Sequence, residues 1–217
     1  IQKAKIDTPF GPVLFGMQLP ENIFQNCVKL ADDVWARKDR IDWSHELVGH
    51  MKHQYYVPHS ELKKYGLYDY FMQCFYWYLI SADNDFKKKK EHLIIELEAF
   101  WINYQEEGEY NPLHNHGQAT LSGAIHLIEP EYEYSEDRKH RSDGKLMIVN
   151  HSPIMFGLDK YAMTVSPTPR GMYIWPAPLL HEVFPFRGEG QRVSMAYNVV
   201  HYFKNNPENR HNAKKYE

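Results

Sequence analysis

The residues best suited to chemistry are histidines at short spacing. His114 and His116 stand in the stretch EYNPLHNHGQATLSG. If this stretch is extended, residues i and i+2 project from one face. Two imidazoles then point together and can chelate a metal of the Fe, Zn, Cu and Ni group. A third imidazole, His181, lies 65 residues beyond His116, after the run GMYIW and a turn bounded by Pro176. Arg192-Val193-Ser194 begins eleven residues after His181. Arg192 and Ser194 share a face on a strand, and a guanidinium beside a hydroxyl suits a carboxylate. A surface ion pair is the competing reading of Arg192.

Strands must carry these groups, and the second half of the chain reads as strands. Apolar or alternating runs cover residues 93–104, 119–128, 145–150, 172–175 and 192–203, joined by segments rich in Gly, Pro, Asp and Ser. The first half reads differently. Strand and turn are expected over residues 5–19, then a helix from Pro20 and Glu21 to about Lys38. Its apolar face is Ile23, Phe24, Cys27, Leu30, Ala31, Val34 and Trp35. A short strand follows at residues 53–57. Ser60 then caps a second helix with an apolar face of Leu62, Leu67, Phe71, Cys74, Phe75 and Tyr78, weakened at Gly66. Lys87 to Lys90 reads as a solvated helix end, 129–144 as a charged loop, and the tail from Asn205 as frayed. Helices followed by a run of strands predict an α+β fold with one β-sandwich or barrel core.

Composition sets outer limits. The 217 residues, 43% hydrophobic and 24% charged, exclude a disordered or collagen-like chain and fit one domain. Acids outnumber bases by 28 to 25, a net charge of −3 that does not favour nucleic acid. Cys27 and Cys74 fall in apolar helical patterns and read as buried free thiols, which fits a cytoplasmic protein. No apolar run reaches the ~18 residues of a membrane span. IQKAKIDTPF does not read as a signal peptide. Of the 13 His, only those at 114, 116 and 181 carry a spacing argument; His126 reads as a packed or surface residue. Trp175 reads as core.

The order HxH, long gap, His, RxS resembles the Fe(II)- and 2-oxoglutarate-dependent oxygenase superfamily. The closer resemblance is to a bacterial and phage family of such oxygenases. It rests on Asn111 to His116, Leu121-Ser122-Gly123, Gly171 to Pro176, His181, and Arg192 to Asn198, and covers roughly residues 95–203. It implies a double-stranded β-helix, a jelly-roll or cupin-like core, with iron held by His114, His116 and His181. His116 stands where the superfamily usually has Asp or Glu. Arg192 and Ser194 match positions that grip the far carboxylate of 2-oxoglutarate. Tyr110, in GEYNPLHNH, resembles the tyrosine that precedes the metal motif in prolyl hydroxylases, with one extra residue between; a core aromatic is the other reading. The implied reaction consumes dioxygen and 2-oxoglutarate, releases succinate and carbon dioxide, and hydroxylates a peptide side chain or small metabolite.

The expected organisation is a single domain over 1–217. A mainly helical support (1–92) precedes the catalytic β-helix (93–203) and a polar tail (204–217). Two other readings use the same histidines. One is a three-histidine cupin dioxygenase that ignores 2-oxoglutarate. The other is a non-catalytic β-sandwich module around structural zinc, which prefers four closed ligands.

Overall fold

A computed structural model describes residues 5–7, 12–133, 141–150 and 162–205. Part of the charged loop, 134–140, and the tail beyond residue 205 lie outside the described residues. The N-terminal region supplies strands β1 (Lys5–Asp7) and β2 (Leu14–Gln18), helix α1 (Glu21–Ala36), and strands β3 (Ile41–Asp42) and β4 (Gln54–Tyr56). Helices α2 (His59–Lys64), α3 (Tyr68–Ala82) and α4 (Asn84–Lys88) follow. The strand-rich region contains β5 (Leu93–Gln105), β6 (Asn111–His114), β7 (Leu121–Ile128), β8 (Glu131–Tyr132) and β9 (Leu146–Val149). It continues with β10 (Ala162–Val165), β11 (Gly171–Pro176), β12 (Leu180–Val183), β13 (Gly188–Glu189) and β14 (Arg192–Phe203).

The first helix matches its sequence pattern, with Ile23, Cys27, Leu30, Ala31 and Val34 buried. Trp35 is half-exposed at the edge of that face and lies against the Tyr104 and His53 rings. The second expected helix is two helices. Gly66 has φ +67 and ends α2. The Leu67 N–H donates to Leu62 O and the Gly66 N–H to Lys63 O, the pairing of a Schellman stop, with Leu62 and Leu67 both fully buried. Ser60 does not cap α2. Pro58 holds the N-cap position, and no side chain bonds there. Lys87 to Lys90 are exposed around the end of α4, as their charge demands.

Eight strands form one sheet in the order β1-β2-β11-β7-β14-β5-β4-β3, and four form a second in the order β10-β9-β12-β6. Strands from the N-terminal region thus hold both edges of the large sheet. Its two faces diverge because side chains alternate. One face carries Phe100, Ile102, Ile125, Met172, Met195 and Tyr197, packed with Cys27, Leu30, Phe71 and Phe75 of the helices. The other face meets the smaller sheet, where Leu14 and Trp175 pack against Leu146, Ile148 and Val165. Gly123 in the LSG motif is needed for the helix-side packing. A Cβ there would lie 2.2 Å from both Tyr173 O and the Tyr197 hydroxyl. That hydroxyl crosses the glycine to donate to Tyr173 O at 2.7 Å.

Candidate active site

Three histidines meet at the mouth between the sheets. β12 pairs with β6 so that His181 lies opposite His114. The chain turns after β6, and the His116 N–H bonds to Ala177 O at 3.0 Å, bringing its ring to the same place. The three rings have centroids 4.3–5.2 Å apart. Their ligand atoms all lie within 4.8 Å of one another. Trp175 sets its edge against His181 at 5.1 Å. It is both core and site wall, as expected of a buried aromatic.

The protonation of the rings suits a metal. His114 Nδ1 lies 2.6 Å from Pro112 O, and His181 Nδ1 lies 2.9 Å from Leu179 O. A carbonyl accepts only from N–H, so each proton sits on Nδ1 and each Nε2 keeps its lone pair. Burial, with the neighbouring imidazoles, holds all three rings neutral: His116 is pushed down to about 3, His114 is lowered, and His181 is well below its ordinary value.

For His116 the partner is Asn198, whose amide nitrogen is placed 3.2 Å from Nδ1, while its buried Oδ1 has no partner. The two amide ends are alike in size and shape. Turning the amide lets Oδ1 accept from Nδ1–H, satisfies the orphan, and gives His116 the same free Nε2 as the other two. The donor set therefore fits a transition metal with open positions.

Deeper between the sheets, a chamber of about 40 Å³ connects the triad to Arg192. Arg192 is 2% exposed. Its Nη1 donates to Gln105 Oε1 at 3.3 Å and to Ser194 Oγ at 3.4 Å, and its Nη2 lies 3.0 Å from His126 Nδ1. Its Nε has no partner, and among the described residues no carboxylate lies within ion-pair distance. Burial lowers the Arg192 pKa, with only partial compensation from Glu129 and Tyr132. A buried cation left this way costs free energy until an anion reaches it. The chamber thus has the chemistry of a carboxylate receptor.

Sequence reasoning did not single out the residues that complete this receptor. His126 is fully buried, with burial and Arg192 holding it well below its ordinary value. Its Nδ1 accepts from Arg192, which leaves the unpartnered Nε2–H as a further donor. The register places Ser194 opposite His126, so the strand pairing that carries RxS also carries this histidine. Alternation from Ser122 and Ala124 was the available signal. Tyr110 is not brought to this chamber. It is 37% exposed, its backbone bridges His50, and its ring stacks on His50 at 4.9 Å.

On the solvent side the histidines border a groove of about 700 Å³, walled by Trp43, Leu47, Val48, Glu98, Trp101 and Gln118 among others. The geometry comprises a metal-type triad, a buried anion receptor on its inner side and a substrate-sized groove on its outer side.

Solved structures share this fold. An oxidoreductase of the 2OG-Fe(II) oxygenase family from Burkholderia pseudomallei aligns with TM-score 0.52 at 15% identity, covering 85% of each chain. The viral collagen prolyl hydroxylase from Paramecium Bursaria Chlorella virus-1, in its 2OG complex, aligns with TM-score 0.51 at 11% identity over 86% of this chain and 96% of that one. A Trichoplax adhaerens prolyl hydroxylase, solved with a hypoxia inducible factor oxygen degradation domain peptide fragment, aligns with TM-score 0.53 at 11% identity over 91% and 85%. The fold is the double-stranded β-helix. The family model described as "Putative 2OG-Fe(II) oxygenase" matches residues 99–198, the span that holds the three histidines, His126, Arg192, Ser194 and Asn198. The matched span and the shared fold are those of Fe(II)- and 2-oxoglutarate-dependent oxygenases, enzymes that use iron, 2-oxoglutarate and dioxygen. No curated protein matches the chain. Among the described residues no helix is long and apolar enough to cross a membrane.

Proposed function

We propose that the chain hydroxylates a C–H bond of a substrate seated in the outer groove. In this reading His114, His116 and His181 hold Fe(II), and Arg192 and Ser194, joined by His126, receive the far carboxylate of 2-oxoglutarate. Bound iron would supply the oxidising chemistry that couples decarboxylation of 2-oxoglutarate to hydroxylation. The chain's own residues do the rest. Pro112 O and Leu179 O keep two imidazoles in the tautomer that presents Nε2, and Asn198 does so for His116. Arg192 orients the co-substrate from a fixed, dry position. Trp175 and Leu146 close the chamber against water.

The observation that carries the reading is Arg192, a buried guanidinium without a carboxylate, behind three neutral imidazoles. It favours an anionic co-substrate over a three-histidine dioxygenase that ignores 2-oxoglutarate. The donor cluster contains three residues, one fewer than structural zinc prefers. Peptide substrates are a natural candidate, since the virus and Trichoplax neighbours are prolyl hydroxylases. The carboxylates of Glu46 and Glu98 on the groove disfavour nucleic acid.

One domain over 1–217 and a reducing, cytoplasmic setting complete the proposal. Cys27 and Cys74 are free and buried, and burial pushes their thiols up to about 12 and about 11. The test is anaerobic titration of 2-oxoglutarate into Fe(II)-loaded protein, followed by succinate assay in air. Saturable binding and succinate release are expected. Absence of both would overturn the reading.

A further inference from the structure

The outer groove has an uneven charge distribution. Glu46 and Glu98 are its only formally charged lining residues, and no Lys or Arg reaches it among the described residues.

Glu98 is placed there by a defect in the sheet. In the β5–β14 ladder Asn198 lies opposite Ala99 and Val199 opposite Leu97, so Glu98 is the extra residue of a bulge. Without it, Leu97 and Phe100 would fall on opposite faces. With it, both bury on the helix side while Glu98 and Ala99 both line the groove. The Glu98 carboxylate is half-buried, and burial pushes its pKa up. Among the described residues it has no hydrogen-bond or ion-pair partner, and it is not a donor of the triad.

A second observation points to a polar ligand in the same groove. Trp101 is 4% exposed, lines the groove beside His116, and its indole N–H is unpartnered. The rest of the wall is mixed, with the amides of Asn111, Asn115, Gln118 and Asn198 beside an apolar part. Leu47, Val48, Ala99 and the ring of Trp43, itself packed against Tyr56 at 4.8 Å, face the same space. An aromatic ring and a carboxylate together suit a cation, and the aliphatic wall suits its stem.

We propose that the groove selects substrates carrying a primary ammonium or guanidinium on an aliphatic stem, with Glu98 taking the cation, Glu46 adding to the field at the rim, and Trp101 donating to an acceptor near the iron. This rests on the oxygenase reading and names the substrate class of the same site. A free polyamine and a basic peptide side chain share this chemistry.

Anaerobic calorimetry on protein loaded with Fe(II) and 2-oxoglutarate separates the cases. The probes are spermidine, a capped lysine peptide, and the same peptide acetylated on Nε. At least one cationic probe should bind about tenfold or more tighter than the acetylated peptide, the scale of a charge-assisted hydrogen bond. Preference for spermidine assigns a free amine; preference for the lysine peptide assigns a protein side chain. In Glu98→Gln the preference should fall to within about twofold, and Glu46→Gln, at the exposed rim, should lose a smaller part of it. Equal binding of the acetylated peptide, binding by no probe, or an unchanged preference in both variants would overturn the proposal. The 2-oxoglutarate isotherm from the same sample is read separately. Its absence with the amine preference intact defeats the oxygenase reading and leaves the cation site standing.

Discussion

The two faces of the large sheet are made by the same strands and behave as opposites. On β14, Val193, Met195, Tyr197 and Val199 pack with the helices, and their polar atoms are satisfied, as with the Tyr197 hydroxyl on Tyr173 O. The intervening residues, Arg192, Ser194, Ala196 and Asn198, face the smaller sheet. There, buried polar atoms lack partners: Arg192 Nε, His126 Nε2, Asn198 Oδ1 and the indole N–H groups of Trp101 and Trp175. Among the described residues, the hydroxyls buried on the helix face of the sheet have partners, whereas unpartnered polar atoms gather on the other face. Stability and function are thus divided between alternate residues of one strand.

Substitutions on the two faces should separate the two properties. The largest stability effect belongs to the helix side. Phe100 is fully buried and stacked on Phe71 at 5.6 Å, so Phe100→Ala should cost about 3–5 kcal/mol in urea unfolding. A loss under 1 kcal/mol would break the comparison. Arg192→Met should do the reverse. Removing one side of a buried charge contact weakens 2-oxoglutarate binding by about 2–5 kcal/mol, while the melting temperature of ligand-free protein holds or rises. A melting temperature that fell with affinity unchanged would make Arg192 structural.

Asn198→Leu should weaken Co(II) or Fe(II) binding about 10-fold to 100-fold by releasing the His116 tautomer, and Asn198→Asp should restore it. Equal affinity in all three proteins would remove the positioning role. The smallest effect concerns acid. His126 has a folded pKa well below 6.5, so the unfolded chain binds its proton first. That histidine's contribution is full above about pH 6.5 and is lost as pH falls below it. His126→Gln should flatten the decline in melting temperature of ligand-free protein below pH 6.5.

Much of this was legible along the chain. The HxH pair and Arg192 with Ser194 rest on period-two spacing, which backbone geometry imposes wherever a strand forms, whereas His181 joins them through the motif order that the resemblance supplies. The strand runs, α1 and the buried cysteines follow from the same local rules. The split at Gly66 was foreshadowed by its glycine but not by the apolar pattern, which continues through it. Of the two readings of His126, packed or surface, its burial selects the first. Its contact with Arg192 was not visible because it joins positions 66 residues apart through strand register.

By itself the sequence determined which residues each strand presents on which side, and so the candidate metal triad and the proposed carboxylate-binding pair. Tertiary structure alone decided what those residues meet. The pairing of His116 with Asn198, 82 residues away, arises where two distant strands come together. The entry of Glu98 into the groove arises from a bulge, which is defined only against the partner strand. The stacking of Tyr110 on His50, away from the chamber, joins segments far apart in the chain. Spacing is local chemistry, whereas register, bulge and burial are properties of chain segments in contact.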